Sequence, residues 1–147
     1  MPTRLLVLAG LIATLPALAA DSGHQYIVIE RPGITTPLPF SEGVVAGNTL
    51  YIAGHLGLDP ATGQAPADIK AEARLLMDAV KKTVEKAGFT MNDVVSITVY
   101  CTDLKLYDTF NGVYRTYFGT QYPARAFIGA ATLLRGAHFE IQGIAVR

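Results

Sequence analysis

Hydrophobic and polar residues alternate in several short stretches of the chain, and this alternation predicts half-buried β-strands. The clearest stretch is 94–101, in which valine and isoleucine alternate with serine, threonine and tyrosine. Residues 25–31 are rich in β-branched side chains and predict a first strand. Two further strands are predicted near the end of the chain, at 125–131 and 138–146.

A hairpin is predicted between the first strand and the middle of the chain. Residues 44–46 and 49–53 are short apolar runs, and Gly47-Asn48 lies between them. This pair can adopt the positive φ that a two-residue hairpin turn requires. We therefore expect two antiparallel strands here, the second ending near Ala53.

A second period, with apolar residues three and four positions apart, predicts two amphipathic helices. The first spans 67–87 and ends at Gly88, and the second begins after Asp103 and ends at Gly119. The apolar stripe of the second helix consists of Leu106, Phe110, Val113, Tyr114, Tyr117 and Phe118. The order of elements predicts an α+β fold, a two-layer sandwich with two helices on one face of a mixed β-sheet.

The other face of this predicted sheet has no helices left to cover it. Tyr51, Ala53, Phe127 and Ile141 all lie in predicted strands, and we expect them on that uncovered face. A large exposed apolar face usually marks an interface. The pattern therefore predicts self-association.

The first twenty residues have a composition different from the rest of the chain. Arg4 precedes an apolar run over residues 5–15, and Pro16 and the small-residue pattern Ala17-Leu18-Ala19 follow. This arrangement is typical of a cleavable secretory signal, and a membrane anchor or a buried helix is the alternative. We predict a signal peptide at 1–19, a single domain at 20–147, no membrane contact after cleavage, and a periplasmic or secreted location.

Charge and cysteine content exclude several classes of function. The chain has twelve basic and twelve acidic residues, so it offers little attraction to nucleic acid. Cys101 is the single cysteine, and its place in an alternating strand predicts a buried structural thiol. The three histidines, His24, His55 and His138, lack the spacing of metal ligands. We predict no metal site and no cofactor.

One charged residue lies where a charge is costly. Arg125 begins an apolar strand in the segment YPARA, and a guanidinium there must reach solvent or meet an anion. Its planar fork suits a carboxylate. A surface arginine explains the pattern equally simply, so the spacing alone leaves both interpretations open.

The chain resembles the RidA (YjgF) family over about residues 39–146. The resemblance rests on segments in the family's order and spacing, namely VVAGNTLYIAGHLGLDPATG, DIKAEARLLMDAVKKTVEKAG, VVSITVYCTDL, YPARA and FEIQGIAV. This family consists of small homotrimers with the chorismate-mutase-like α+β fold. Its active members hydrolyse reactive enamines and imines, such as 2-aminoacrylate, to 2-keto acids and ammonia. The resemblance thus implies a homotrimer that binds a small carboxylate substrate.

The resemblance also assigns roles to particular residues. Arg125 matches the arginine that binds the substrate carboxylate, and Asn111 matches a helix asparagine of the site. The backbones of Gly54 and Phe127 would line the pocket. The residues that depart from the family are Phe40 for tyrosine, Ala53 for serine, His55 for glutamine, Phe127 for cysteine, and Gln142 for the water-orienting glutamate.

These departures bear on catalysis. The Gln142 amide can orient a water molecule but cannot accept its proton. Glu140, at the preceding acidic position, is on the same strand face but about 6.5–7 Å away along the strand, which we expect to be too far. His55 is the candidate replacement for the missing acid, because an imidazole titrates near neutral pH. A structural histidine is the alternative.

Three functions follow as hypotheses. The first is an enamine or imine deaminase in the periplasm, which retention of Arg125 favours. The second is a trimeric, non-catalytic protein that binds small carboxylates, which the changes at Gln142, Ala53 and Phe40 favour. The third is a ribonuclease, against which the neutral charge and the predicted export both count.

Overall fold

The computed structural model describes residues 23–30 and 38–147 and contains one six-stranded sheet. The strands are β1 (His24–Ile27), β2 (Gly43–Ala46), β3 (Thr49–Leu56), β4 (Val94–Cys101), β5 (Ala124–Gly129) and β6 (Phe139–Val146). Their order across the sheet is β1-β2-β3-β6-β4-β5. The pair β4–β5 is parallel and the other neighbours are antiparallel, so the sheet is mixed as predicted. The predicted signal peptide lies outside the described residues.

The long helix α1 (Ile69–Lys86) forms where the period of three and four predicts it. The Asp68 side chain accepts hydrogen bonds from the backbone N–H groups of Lys70 and Ala71, which satisfies two donors of the first turn. Its buried side chains pack on β3 and β6. Each predicted end of this helix is within two residues of the observed end.

The second helix is shorter than predicted. The α-helical part, α2, spans only Tyr107–Tyr114, and single 3₁₀ turns at Leu104–Leu106 and Arg115–Tyr117 extend it on both sides. The predicted cap is real, since the Asp103 side chain accepts from the Lys105 N–H, but it closes a 3₁₀ turn. The 3₁₀ turns keep the apolar stripe buried without a continuous helix.

The two helices lie on one face of the sheet, so the predicted fold class is confirmed. Large side chains from four different elements are fully buried in the layer between sheet and helices, namely Leu50, Leu76, Ile97, Phe139 and Ile141. On the opposite face, Tyr51, Val95 and Ile128 are exposed. We call this opposite surface the open face. It is the face that the sequence predicts to be uncovered.

Two residues assigned to the open face are on the other side. Ile141 is completely buried beneath α1 and α2, and the Phe127 ring packs edge-on against Phe110 of α2 with centroids 5.6 Å apart. Successive strand residues point to opposite faces, so an error of one position reverses the assignment. Tyr51 is on the open face, as predicted, and Ala53 lies half-buried beside it.

Candidate functional site

Arg125 lies at the edge strand β5 and points toward α2, on the helix-covered side of the sheet. Its guanidinium carbon is 4.6 Å from the centroid of the Tyr114 ring and 5.6 Å from the centroids of Tyr107 and Phe127. The Nη2 group donates to the Tyr107 hydroxyl at 3.4 Å. Within residues 23–30 and 38–147, no carboxylate forms an ion pair with Arg125. The cation is thus held by aromatic rings and leaves its anion-binding edge available.

A cleft of about 230 Å³ opens beside this guanidinium. Its walls include Tyr107, Asn111 and Tyr114 from α2, and Tyr122 from the segment that leads into β5. The three α2 residues are four and three positions apart, so they lie on one side of that helix. Burial raises the pKa of Tyr114 to about 12, against a smaller opposing effect of Arg125, so the hydroxyl stays protonated at physiological pH. We call this cavity the Arg125 cleft.

A second group of predicted site residues lies on the open face, at a bulge in β3. The pairing of β3 with β6 shifts between Ile52 and His55, so Ala53 and Gly54 together occupy the irregular part of the ladder. The Glu140 carboxylate lies directly against Gly54, where a Cβ atom would collide with its Oε1 oxygen. Only glycine therefore allows the carboxylate to approach the strand at this point.

Glu140 lies closer to the predicted pocket backbone than its distance from Gln142 along the strand suggests. The distance along the strand is that of any two alternate residues, but the bulge and the missing side chain at Gly54 let the carboxylate reach the predicted pocket backbone. Gln142 is on the same face, exposed, and its Nε2 donates to the Tyr100 hydroxyl at 3.0 Å. A carboxylate therefore lies against the predicted pocket backbone at Gly54.

His55 is buried on the other side of β3, beneath α1. Its Nδ1–H donates to the Ala53 carbonyl oxygen at 2.7 Å, and Nε2 lies 2.8 Å from Thr83 Oγ1 and 3.5 Å from Glu42 Oε2. A histidine enclosed in this way cannot exchange protons with a ligand on the open face. This burial favours the structural interpretation of His55 over the predicted catalytic role, which stays a prediction.

The other predicted residues have mixed outcomes. Phe40 is exposed and precedes Glu42, whose carbonyl oxygen accepts from the Ala53 N–H at 3.0 Å, so the segment runs beside the bulge. Asn111 is buried and lines the Arg125 cleft. The Phe127 side chain supports Arg125 from the core. Cys101 is buried, its Sγ–H donates to the Asp103 carbonyl, and burial raises its pKa, as expected of a structural thiol.

Sequence reasoning missed Tyr107, Tyr114 and Tyr122 around Arg125, and it named Phe127 only for its backbone. Tyr114 belongs to the apolar stripe of the second predicted helix and Phe127 to a predicted strand, so both were interpreted as packing residues. Tyr122 lies in a connecting segment without a regular hydrophobic pattern. The spacing of Tyr107, Asn111 and Tyr114 on one helix side was a usable signal. It also missed Glu72, a fully buried carboxylate that accepts from the backbone N–H groups of His138 and Phe139 at 2.6 and 3.0 Å.

The described residues bear on two other kinds of feature, membrane-spanning helices and metal sites. In the part of the chain that the structure describes, no helix is long and apolar enough to cross a membrane. The same residues contain no cluster of three or more side chains suited to hold a metal ion.

Comparison with known proteins decides the family. The sequence profile described as Endoribonuclease L-PSP matches residues 31–147. The chain belongs to the RidA (YjgF) family. A RidA-family relative from Escherichia coli K12, named 2-iminobutanoate/2-iminopropanoate deaminase, is 38% identical over 112 residues, which are 74% of this chain and 88% of the relative. The Bos taurus protein of the same name is 38% identical over 110 residues, covering 74% and 80%.

Solved structures of the RidA family share the fold described above. The crystal structure of Escherichia coli TdcF with bound serine has a TM-score of 0.74 at 33% identity and covers 84% of this chain and 99% of that chain. The YjgF gene product from Escherichia coli has a TM-score of 0.74 at 36% identity, with 84% and 98% covered. The mixed sheet with two helices on one face is thus the fold of this family.

Proposed function

We propose that the protein hydrolyses small enamine and imine intermediates of amino acids to 2-keto acids and ammonia in the periplasm. The observation that carries the proposal is Arg125, a cation in a cleft without an ion-pair partner in the described chain. A guanidinium binds a carboxylate through two parallel hydrogen bonds. The relatives named as 2-iminobutanoate/2-iminopropanoate deaminases act on molecules that carry such a carboxylate.

Glu140 supplies the acid–base chemistry in this proposal. Water adds to the carbon of the C=N bond, one of its protons passes to the Glu140 carboxylate, and the nitrogen is protonated. Glu140, having given its proton to that nitrogen, takes the proton of the carbinolamine hydroxyl and passes it to the amino group. The carbon–nitrogen bond then breaks, ammonia leaves, and the carbon keeps the oxygen as a ketone. The amide of Gln142, held by Tyr100, can orient the water but cannot take its proton. The contact of Glu140 with Gly54 supports this assignment over Gln142.

The proposed site needs two copies of the chain. Arg125 points to the helix-covered side at the β5 edge, whereas Glu140 points to the open face of β6, two strands away. We propose a homotrimer in which the Arg125 cleft of one copy faces the Gly54 bulge of the next. Exposed Tyr51 and Ile128 on the open face support such an assembly, because apolar surface of this kind is usually covered.

A second candidate is a trimer that binds small carboxylates without turnover. It is favoured by Ala53 and Phe40, which lack the hydroxyl groups found in active members and leave the bulge with fewer groups to hold water. The bound serine in the TdcF crystal shows that a relative holds a small amino acid. Although the family profile is named for an endoribonuclease, we do not propose RNA cleavage, because the chain has no net charge.

An imine-hydrolysis assay separates the two candidates. Imino acids generated by an amino-acid oxidase would be mixed with residues 20–147, and 2-keto acid release would be followed with wild type and with Arg125→Ala. We expect wild type to accelerate release and Arg125→Ala to lose most of the acceleration. Binding of a 2-keto acid without any acceleration would reject the enzyme and leave the binding protein.

Export is a separate part of the proposal. It rests on the pattern of Arg4, the apolar run and Ala19 in the sequence. Mass spectrometry of protein from a bacterial periplasmic fraction should find an N-terminus at Ala20 or Asp21. A full-length chain in the cytosol would remove the periplasm from the proposal without touching the chemistry.

A further inference from the structure

The Tyr114 hydroxyl is buried without a hydrogen-bond partner in the described part of the chain. The residue is 3% exposed, and its oxygen is the buried side-chain polar atom that lacks any partner. Leaving a buried hydroxyl unsatisfied is unfavourable, and folded proteins do it rarely. Such a group points to a partner that the described residues do not supply.

The surroundings of this hydroxyl identify where the partner would sit. The Tyr114 ring is a wall of the Arg125 cleft, and the Arg125 guanidinium carbon lies 4.6 Å from its centroid. Asn111, one helical turn earlier on α2, lines the same cleft. A molecule bound to Arg125 would therefore lie beside Tyr114 as well.

A movable side chain covers the ring. Tyr122 stacks on Tyr114 with an interplanar angle of 21° and centroids 6.4 Å apart, yet Tyr122 itself is more than half exposed. Exposed side chains change rotamer within picoseconds to nanoseconds. Rotation of Tyr122 would uncover the face of the Tyr114 ring on which it stacks, without any change in the sheet or in α2.

The positive charge around the Tyr114 hydroxyl favours an anionic hydrogen-bond partner. Burial holds the pKa of Tyr114 at about 12, so the hydroxyl is a proton donor over the physiological range. The hydroxyl can also accept, but the cations that line the cleft, Arg115 and Arg125, carry only donors. Two adjacent donors, one of them cationic, are complementary to an anion with several acceptor oxygens.

We propose that the Tyr114 hydroxyl donates a hydrogen bond to the carboxylate that Arg125 binds, so that one oxygen of the ligand meets both residues. The inference rests on the proposed function in one respect, the binding of a carboxylate by Arg125. It adds a neutral donor from α2 to the recognition. Ligand binding then satisfies a group that the free protein leaves unsatisfied.

The test compares Tyr114→Phe with Tyr117→Phe, using 2-oxobutanoate as the probe. Tyr117 is a matched control on the next turn, because its hydroxyl has partners, donating to Asp78 Oδ1 at 2.7 Å with the Arg74 carbonyl oxygen at 3.2 Å. In calorimetry, Tyr114→Phe should raise Kd about 10- to 100-fold, as expected for loss of a hydrogen bond to a charged group. Tyr117→Phe should leave Kd unchanged.

Thermal unfolding without ligand supplies the second readout. Tyr114→Phe should keep or raise Tm, because it removes an unsatisfied hydroxyl, whereas Tyr117→Phe should lower Tm. A Tyr114→Phe protein that binds 2-oxobutanoate like wild type overturns the inference. So does one whose ligand-free Tm falls as far as that of Tyr117→Phe, since the hydroxyl would then have a structural partner.

The outcomes also separate this inference from the proposed function. Weakened binding by Tyr114→Phe, in a wild type that binds 2-oxobutanoate but hydrolyses no imine, supports the inference and rejects the enzyme. Unchanged binding by Tyr114→Phe, in a wild type that hydrolyses imines, rejects the inference and retains the enzyme. A wild type that does not bind 2-oxobutanoate rejects Arg125 as the anchor and the inference with it.

Discussion

At the scale of single residues, the proposed chemistry depends on two charged side chains, Arg125 and Glu140, and on the residues that surround them. Arg125 is supported by three aromatic rings and no carboxylate of the described chain. Glu140 approaches the backbone only because position 54 has no side chain. The placement of Arg125 thus depends on the aromatic residues around it, and that of Glu140 depends on glycine at position 54.

The first prediction distinguishes the two candidate acid positions. Glu140→Gln keeps the shape of the side chain but removes the proton acceptor, so kcat for imine hydrolysis should fall by about 10²–10⁴-fold. Binding of 2-oxobutanoate should change little, because Arg125 provides it. Steady-state kinetics and calorimetry on the same protein would measure both.

Gln142→Glu is the matched comparison for that prediction. It adds a carboxylate two positions along the same strand face, beside Tyr100, where we expect at most a small gain in kcat. The assignment of Glu140 is wrong if Glu140→Gln retains the wild-type rate. A gain of a hundredfold or more in Gln142→Glu would then move the acid to position 142.

At the scale of secondary-structure elements, a buried carboxylate ties α1 to the start of β6. Glu72 accepts from the His138 N–H at 2.6 Å, the Phe139 N–H at 3.0 Å and the His138 ring at 2.7 Å. These bonds fix the beginning of the strand that carries Glu140 one residue later. The helix therefore helps to place the proposed acid.

A prediction follows for Glu72→Gln. An amide presents one acceptor and two donors, so it cannot satisfy three donors, and the free energy of unfolding should fall by about 3 kcal/mol. Urea unfolding measures the loss. Glu85→Gln is the control on the same helix, because the exposed pair of Glu85 with Lys81 should contribute only about 0.3–0.5 kcal/mol. Equal losses in the two variants would show that the Glu72 bonds stabilise little.

The elements differ in how far sequence could predict them. Strand β4 and helix α1 carry long regular periods, and both were predicted within two residues of their observed ends. The bulge at Ala53 and Gly54 depends on the pairing with β6, a partner far along the chain, so no local period reveals it. For the same reason the sequence does not reveal that Glu140 lies against Gly54 while His55 is buried beneath α1.

At the scale of the whole molecule, the open face is the surface through which the proposed trimer would assemble. Tyr51, in the middle strand β3, is 53% exposed in the single chain, and Ile128 at the β5 edge is 44% exposed. Covering such residues is favourable by about 25 cal/mol per Å² of apolar surface. In the proposed trimer, the part of this face around the Gly54 bulge would face the Arg125 cleft of the next copy.

The corresponding prediction is a compact trimer in light scattering at micromolar concentration. Tyr51→Glu should shift the protein toward monomer, because a charge would be buried in the interface, while the single chain should fold as before. The control is Leu134→Glu, in an exposed turn between β5 and β6. A monomeric wild type, or a trimeric Tyr51→Glu protein, would contradict an interface on the open face.

The placement of Arg125 and Glu140 on opposite faces of one sheet has a genetic consequence. If each active centre combines the arginine of one subunit with the glutamate of another, the two defects Arg125→Ala and Glu140→Gln are complementary. Subunits carrying different defects would assemble mixed trimers, and some interfaces in these would contain both intact residues. Two alleles that are each inactive alone would then restore activity when they are expressed in the same cell.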